Sequence, residues 1–142
     1  MPLGALPPVS PGIYPGAGLA SLLRANSSQW LFQQQLIAAG NASIAVQLER
    51  IKMSYFYPFG CSLQIFFTDV NQAAANPGAF EVDAQTSDID TDAMYCDTTG
   101  LTLVSTTGRA GRIELPWLWA KFIRVNIKTL TNSVYTNVLV TR

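Results

Sequence analysis

Ile113-Glu114-Leu115-Pro116-Trp117-Leu118-Trp119-Ala120-Lys121-Phe122-Ile123-Arg124-Val125-Asn126-Ile127-Lys128-Thr129 is the stretch whose reading decides the fold. From Phe122 onward Ile123, Val125 and Ile127 alternate with Arg124, Asn126 and Lys128, the two-residue period of a strand with one buried face. Pro116 stands ahead of Trp117 and Trp119, so the strand is expected to start after it, where a missing N–H does least harm. A strand this apolar on one side needs partners, and the rest of the chain supplies them.

Outward from this stretch, short β-prone runs recur at Trp30 to Ile37, Ser43 to Ile51, Ser62 to Thr68, Phe80 to Thr86, Leu101 to Ser105, Arg112 to Leu115, Phe122 to Lys128 and Tyr135 to Thr141. Turn-forming residues separate them, at Gly40-Asn41, Tyr57-Pro58-Phe59-Gly60, Asn71 to Gly78, Thr98-Thr99-Gly100, Thr107-Gly108 and Thr131-Asn132-Ser133. Many short strands divided by turns predict an all-β chain, an antiparallel β-sandwich or jelly roll. The expected core is Ile44, Val46, Leu48, Leu63, Ile65, Phe67, Ile123, Val125, Ile127, Val138 and Val140. The only helical spacing, Leu19, Leu22 and Leu23, predicts one or two turns before Asn26-Ser27-Ser28.

Residues 1–18 hold five of the eight prolines and no charge. Proline at this density excludes helix and central strand and favours extended chain. Disordered tails are usually charged and poor in aliphatics, whereas this one carries Leu3, Leu6, Val9, Ile13 and Tyr14. It is expected to be an arm that lies on a neighbouring subunit, by adding to a sheet edge or filling grooves. The chain thus divides into an arm with a possible short helix over 1–28 and a β-sandwich over 29–142. No export signal is evident in the proline-broken N-terminus, and no apolar run is long enough to span a bilayer.

Composition narrows function by exclusion. Charged residues make up 13 % of the 142, about half the usual ~25 %, which suits a protein whose faces are covered by neighbours. Net charge is zero, against a nucleic-acid binder with a basic face. The charge is unevenly spread: residues 69–97 carry seven carboxylates and no Lys or Arg, whereas residues 98–142 carry six basic residues against Glu114. Two readings stand, pairing of the two segments within one fold, or a dipolar surface that orients the protein on a partner or on its own copy. There is no histidine, which removes the commonest general base. Cys61 and Cys96 lack metal-ligand spacing and are expected to be buried free thiols, with a disulfide as the alternative.

Asp88, Asp90 and Asp92 alternate like the opening of a calcium loop, but Ala93 stands where its glycine belongs and Thr99 where its glutamate belongs. They are candidates for a noncanonical cation site; the competing reading is that they cap turns. Trp30, Trp117, Trp119, Tyr55, Phe56, Tyr57 and Phe59 could offer a sugar-binding face, or serve as core and interface anchors.

Three motifs resemble a known family: Phe80-Glu81-Val82-Asp83-Ala84-Gln85-Thr86-Ser87-Asp88-Ile89-Asp90-Thr91-Asp92-Ala93-Met94-Tyr95, Arg112-Ile113-Glu114-Leu115, and Trp119 through Leu130 with the closing Thr141-Arg142. Over roughly residues 30–142 the pattern is similar to the jelly-roll cement, or decoration, proteins of tailed bacteriophages. The resemblance implies a non-enzymatic virion protein without cofactor that is assembled in the host cytoplasm and sits on the capsid exterior. It would bind the major capsid protein and itself, with no nucleic-acid or membrane partner. The alternative is a carbohydrate- or receptor-binding module of a phage tail or fibre. The residues expected to carry contact are Leu3, Leu6, Val9, Ile13, Tyr14, Trp117, Trp119, Phe122, Arg124 and Lys128.

Overall fold

A computed structural model describes residues 20–24, 27–48, 60–108, 110–115 and 120–142. Among the described residues there are nine strands: β1 Ser21–Leu23, β2 Ser28–Leu36, β3 Val46–Leu48, β4 Cys61–Thr68, β5 Phe80–Ser87, β6 Cys96–Ser105, β7 Gly111–Leu115, β8 Phe122–Leu130 and β9 Tyr135–Thr141. A single 3₁₀ turn, Asp92–Met94, interrupts the β5–β6 connection. They form a five-stranded sheet in the order β1-β3-β8-β5-β6 and a four-stranded sheet in the order β2-β9-β4-β7. Apart from the β5–β6 hairpin, each connection from β2 onward passes to the other sheet, and the resulting order of β2 to β9 is that of a jelly roll. Among the described residues no helix is long and apolar enough to cross a membrane.

The alternation in β8 is obeyed: Ile123, Val125 and Ile127 are fully buried between the sheets. They meet Val46, Leu48, Val82 and Ala84 from their own sheet, and Leu63, Ile65, Phe67, Val138 and Val140 from the facing one. Phe80 packs on Phe67 with ring centroids 4.8 Å apart. Nearly the whole expected core is therefore present.

Four expectations are corrected. The helical turns near Leu19 to Ala25 are strand β1 instead, parallel to β3, with Ser21 beside Val46 and Leu23 beside Leu48. Leu23 is buried and Leu22 exposed, so a two-residue period wins there. Arg142 fastens this strand, donating from Nη1 to the Leu23 carbonyl at 3.1 Å. The strand expected from Ser43 begins only at Val46, and Ile44 is exposed rather than in the core. Ser43 explains this, because its Oγ takes the Val125 N–H at 3.0 Å, a bond that regular pairing would give to a carbonyl. The turn expected at 98–100 lies inside β6, where the chain from Asp97 to Thr102 faces only Gln85 to Asp83, so its signal appears as a bulge. The arm of residues 1–18 and the end of the Ser43 to Ile51 run lie outside the described residues.

Gly108 marks a turn that only glycine fits: φ is +71°, and a Cβ there would lie 1.8 Å from the Asn76 Oδ1. That oxygen already accepts from the Gly78 N–H at 2.8 Å.

Ile65 is fully buried at the centre of the four-stranded sheet. Ile65→Ala is expected to lower stability by about 2–5 kcal/mol in denaturant titration, with an unchanged m-value. Ile44→Ala, at a 42 % exposed position, is expected to fall within about 0.5 kcal/mol of the parent.

Candidate functional site

The outer face of the five-stranded sheet is polar, and its centre is Arg124. Register sets Gln85 of β5 directly beside Arg124 of β8. The guanidinium lies over the Tyr95 ring at 4.0 Å, donates from Nε to Gln85 Oε1 at 2.9 Å, and pairs through Nη1 with Asp92. Tyr95 in turn donates its hydroxyl to Asp90 at 2.7 Å. Arg124 is only 7 % exposed, so the β5–β6 connection is clamped down on β8 by a buried cation.

A second set of charges adjoins it. Lys128 reaches Asp97 at 2.7 Å and the buried Asp83 at 3.1 Å, while Gln85 donates to the other Asp97 oxygen at 2.9 Å. The Lys128 bond, then the Gln85 bond, holds the Asp97 carboxyl below its usual range. The same bonds, to Asp97 first and Asp83 next, push the Lys128 ammonium up. Arg124 and Lys128 of the basic segment thus pair with Asp92, Asp83 and Asp97 of the acidic one on one sheet.

Phe122 is also buried, packed with Ala45, Tyr95 and Ala20 in a small second cluster. Neither it nor Arg124 is available as a surface anchor in this chain by itself; both are spent on holding the β5–β6 connection. Lys128 keeps partial exposure. Leu3, Leu6, Val9, Ile13, Tyr14, Trp117 and Trp119 lie outside the described residues.

The three alternating aspartates diverge. Asp88 accepts the Lys121 N–H at 3.0 Å, Asp90 accepts from Tyr95 and Asp92 pairs with Arg124. Among the described residues no group of three His, Cys, Asp or Glu could hold a metal ion. Beside Arg124 a cleft of about 520 Å³ opens between Asn41, Ile44, Gln85, Asp92 and Asn126. It is lined mainly by amides and by an Arg–Asp pair of no net charge.

The outer face of the four-stranded sheet differs in kind. Leu63, Ile65, Phe67, Val138 and Val140 point inward, so Phe66 and Leu139 point outward, and Trp30 joins them as the register partner of Leu139. Trp30 and Phe66 meet edge to face with centroids 6.0 Å apart. Tyr135 and the 59 % exposed Leu36 continue the same face across the β2–β9 register. Its charges lie on β7, where Arg112 pairs with Glu114 at 3.5 Å and donates to Ser62 at 2.7 Å. Beneath Gln34 a buried Asn137 donates to Thr68 at 3.0 Å and accepts the Gln34 N–H at 2.8 Å, fixing a bulge in β2. Trp30 was legible as a candidate anchor; Phe66 and Leu139 were not, although the alternation about Ile65 and Val138 would have turned both outward.

No protein-family model, curated protein or solved structure matches this chain.

Both cysteines are free. Cys61 is buried as expected, and burial pushes its thiol up to about 12, partly offset by Arg142. Cys96 is exposed, which corrects the expectation for that position. One thiol of the native protein is therefore expected to react promptly with a neutral-pH maleimide, and Cys96→Ser is expected to abolish that reaction. Rapid labelling of Cys61 before unfolding would contradict the burial.

The Asp97 pairing has a pH signature. A carboxyl held below its unfolded value contributes stability above that value and loses it as pH falls through the folded one. Lys128→Met is expected to raise the Asp97 pKa toward 3.8 in a carboxyl NMR titration. The stability gap to the parent should narrow as the pH is lowered through and below the ordinary carboxylate range. An Asp97 titration unmoved by the substitution would show that Lys128 is not its principal partner.

Proposed function

We propose that this chain is a structural virion protein, which binds the outside of a tailed-phage capsid and cements neighbouring major capsid protein subunits. The observation that carries the reading is the contrast between the two outer faces. One sheet spends its charges on its own neighbours, while the other sets the half-buried Trp30, Phe66 and Leu139 and the exposed Leu36 among uncharged polar groups, with the charges of its described residues at the β7 rim. A sheet face with half-buried aromatic rings and little charge, on a chain with 13 % charged residues, suits burial in an assembly. The strand order, shared by many coat and lectin domains, and the family-like motifs from Phe80 to Leu130 support the same reading. Binding would stabilise the shell because it acts on the assembled lattice and not on its separated parts. No catalytic step is assigned to the chain.

The cleft beside Arg124 favours a second reading, a carbohydrate-binding module. Its amides, its neutral Arg–Asp pair and the apolar edge of Ile44 match a hydroxyl-rich, uncharged ligand.

Purified, undecorated shells incubated with the chain are expected to bind it saturably and to release their contents at a higher temperature. Asn126→Ala should leave that binding unchanged. If shells bind no protein, while a glycan array gives a signal that Asn126→Ala removes, the cement reading fails and the carbohydrate reading replaces it.

A further inference from the structure

The apolar face of the four-stranded sheet and the proline-rich arm have matching chemistry. Trp30, Leu139 and Phe66 form a half-buried apolar patch on this face, separated from Tyr135 and Leu36 by the bonded Asn137, Thr68 and Gln34, and the charged pair on β7 is satisfied locally. The arm has no charge at all and sets Pro7, Pro8, Pro11 and Pro15 among Leu6, Val9, Ile13 and Tyr14. Proline-rich extended segments dock on aromatic surfaces because their rings stack there and little conformational entropy is left to lose.

Where the arm begins decides whose face it can use. Ala20 packs against Ala45, Tyr95 and Phe122, on the outer side of the five-stranded sheet. The Trp30 face is on the opposite side of the sandwich, past the β1–β2 connection that leaves the other end of β1. To reach its own face the arm would have to double back along β1 and round the sandwich edge. At ~3.1 Å per residue of polyproline-like chain, an arm of this length would reach roughly 56 Å, enough to meet a second molecule.

We propose that residues 1–18 of one copy dock on the Trp30–Leu139–Phe66 face of a second copy. Because each molecule gives from one side and receives on the other, the contact is head-to-tail, and it propagates into rings or chains rather than closing as a two-fold dimer. Uncharged on both sides, it is insensitive to salt. This deepens the cement reading and rests on it, as a means of linking copies along a shell, yet it is tested without shells.

The test uses two full-length variants in analytical ultracentrifugation over a dilution series, at low and high salt. The arm variant carries Leu6→Ser and Ile13→Ser; the face variant carries Trp30→Gln and Leu139→Thr, with its fold checked by circular dichroism. The parent is expected to self-associate equally at both salt concentrations, and each variant to do so at least tenfold more weakly. An equimolar mixture should form a one-to-one heterodimer and nothing larger, since only the face variant's arm and the arm variant's face remain competent. As a measurement independent of the face substitutions, excess synthetic peptide of residues 1–18 should dissociate the parent assembly. A parent that stays monomeric, variants that associate like the parent, a mixture that fails to pair, or a peptide without effect would each overturn the proposal. A parent that binds shells but stays monomeric would sink this inference alone, and a parent that self-associates as described but binds no shell would sink the cement reading alone.

Discussion

The pairing of β5 with β8 is the constraint from which the rest follows. It places Val82 and Ala84 beside Ile127 and Val125 on the inner side, and in the same stroke places Gln85 beside Arg124 on the outer side. The inner set is the centre of the core. The outer set would leave a guanidinium on a sheet face with Gln85 alone to bind, had the β5–β6 connection not folded back to supply Tyr95 and Asp92. One register thus fixes both the hydrophobic centre and the buried cation that holds the hairpin, and a slip by a single residue would exchange the two faces.

Those strands were legible because each obeys a two-residue period against turn-forming neighbours, as Leu63, Ile65 and Phe67 do in β4 and Val138 and Val140 in β9. What escaped was decided by partners distant in sequence. Leu19, Leu22 and Leu23 look helical in isolation, yet three residues beside β3 gain more from an edge position than from a helix too short to propagate. Ile44 alternates correctly with Val46 but is turned out by a serine bond to Val125, eighty residues away in the fold's connectivity and invisible to local pattern. Arg124 and Phe122 looked like surface groups because their strand alternates; the cover they receive comes from the β5–β6 connection. The charge asymmetry could be read either way from composition, and only the adjacency of β5 and β8 resolves it as pairing within the sheet.

The two outer faces carry different amounts of information about function. A jelly roll by itself serves coats, lectins and enzymes alike, so strand order does not separate them. The polar face is largely self-contained: its bonds run from Asp97 through Gln85 and Arg124 to Asp92, leaving a shallow neutral cleft at one end. The apolar face has no comparable internal use for Trp30, Phe66 and Leu36. Aromatic rings left partly in water, with no charge interleaved among them, gain from being covered, and that asymmetry is what the assembly reading rests on.

Why a face should serve, and not an edge, follows from how the edges are built. An extended segment could in principle join a sheet by strand addition. In the four-stranded sheet, β2 is interrupted by register shifts between Trp30 and Gln35, with Gln34 at φ 49°, so its outer ladder is broken where a new strand would need continuity. The other edge, β7, is five residues long and exposes Arg112 and Glu114. Both are devices that discourage edge-to-edge pairing. A proline-rich segment is missing an N–H at each proline, which interrupts the ladder that strand addition needs, but stacking on rings asks for no N–H. Bulged, short edges and an uncharged aromatic face therefore favour the same mode of contact, one in which side chains and not backbone ladders make the joint.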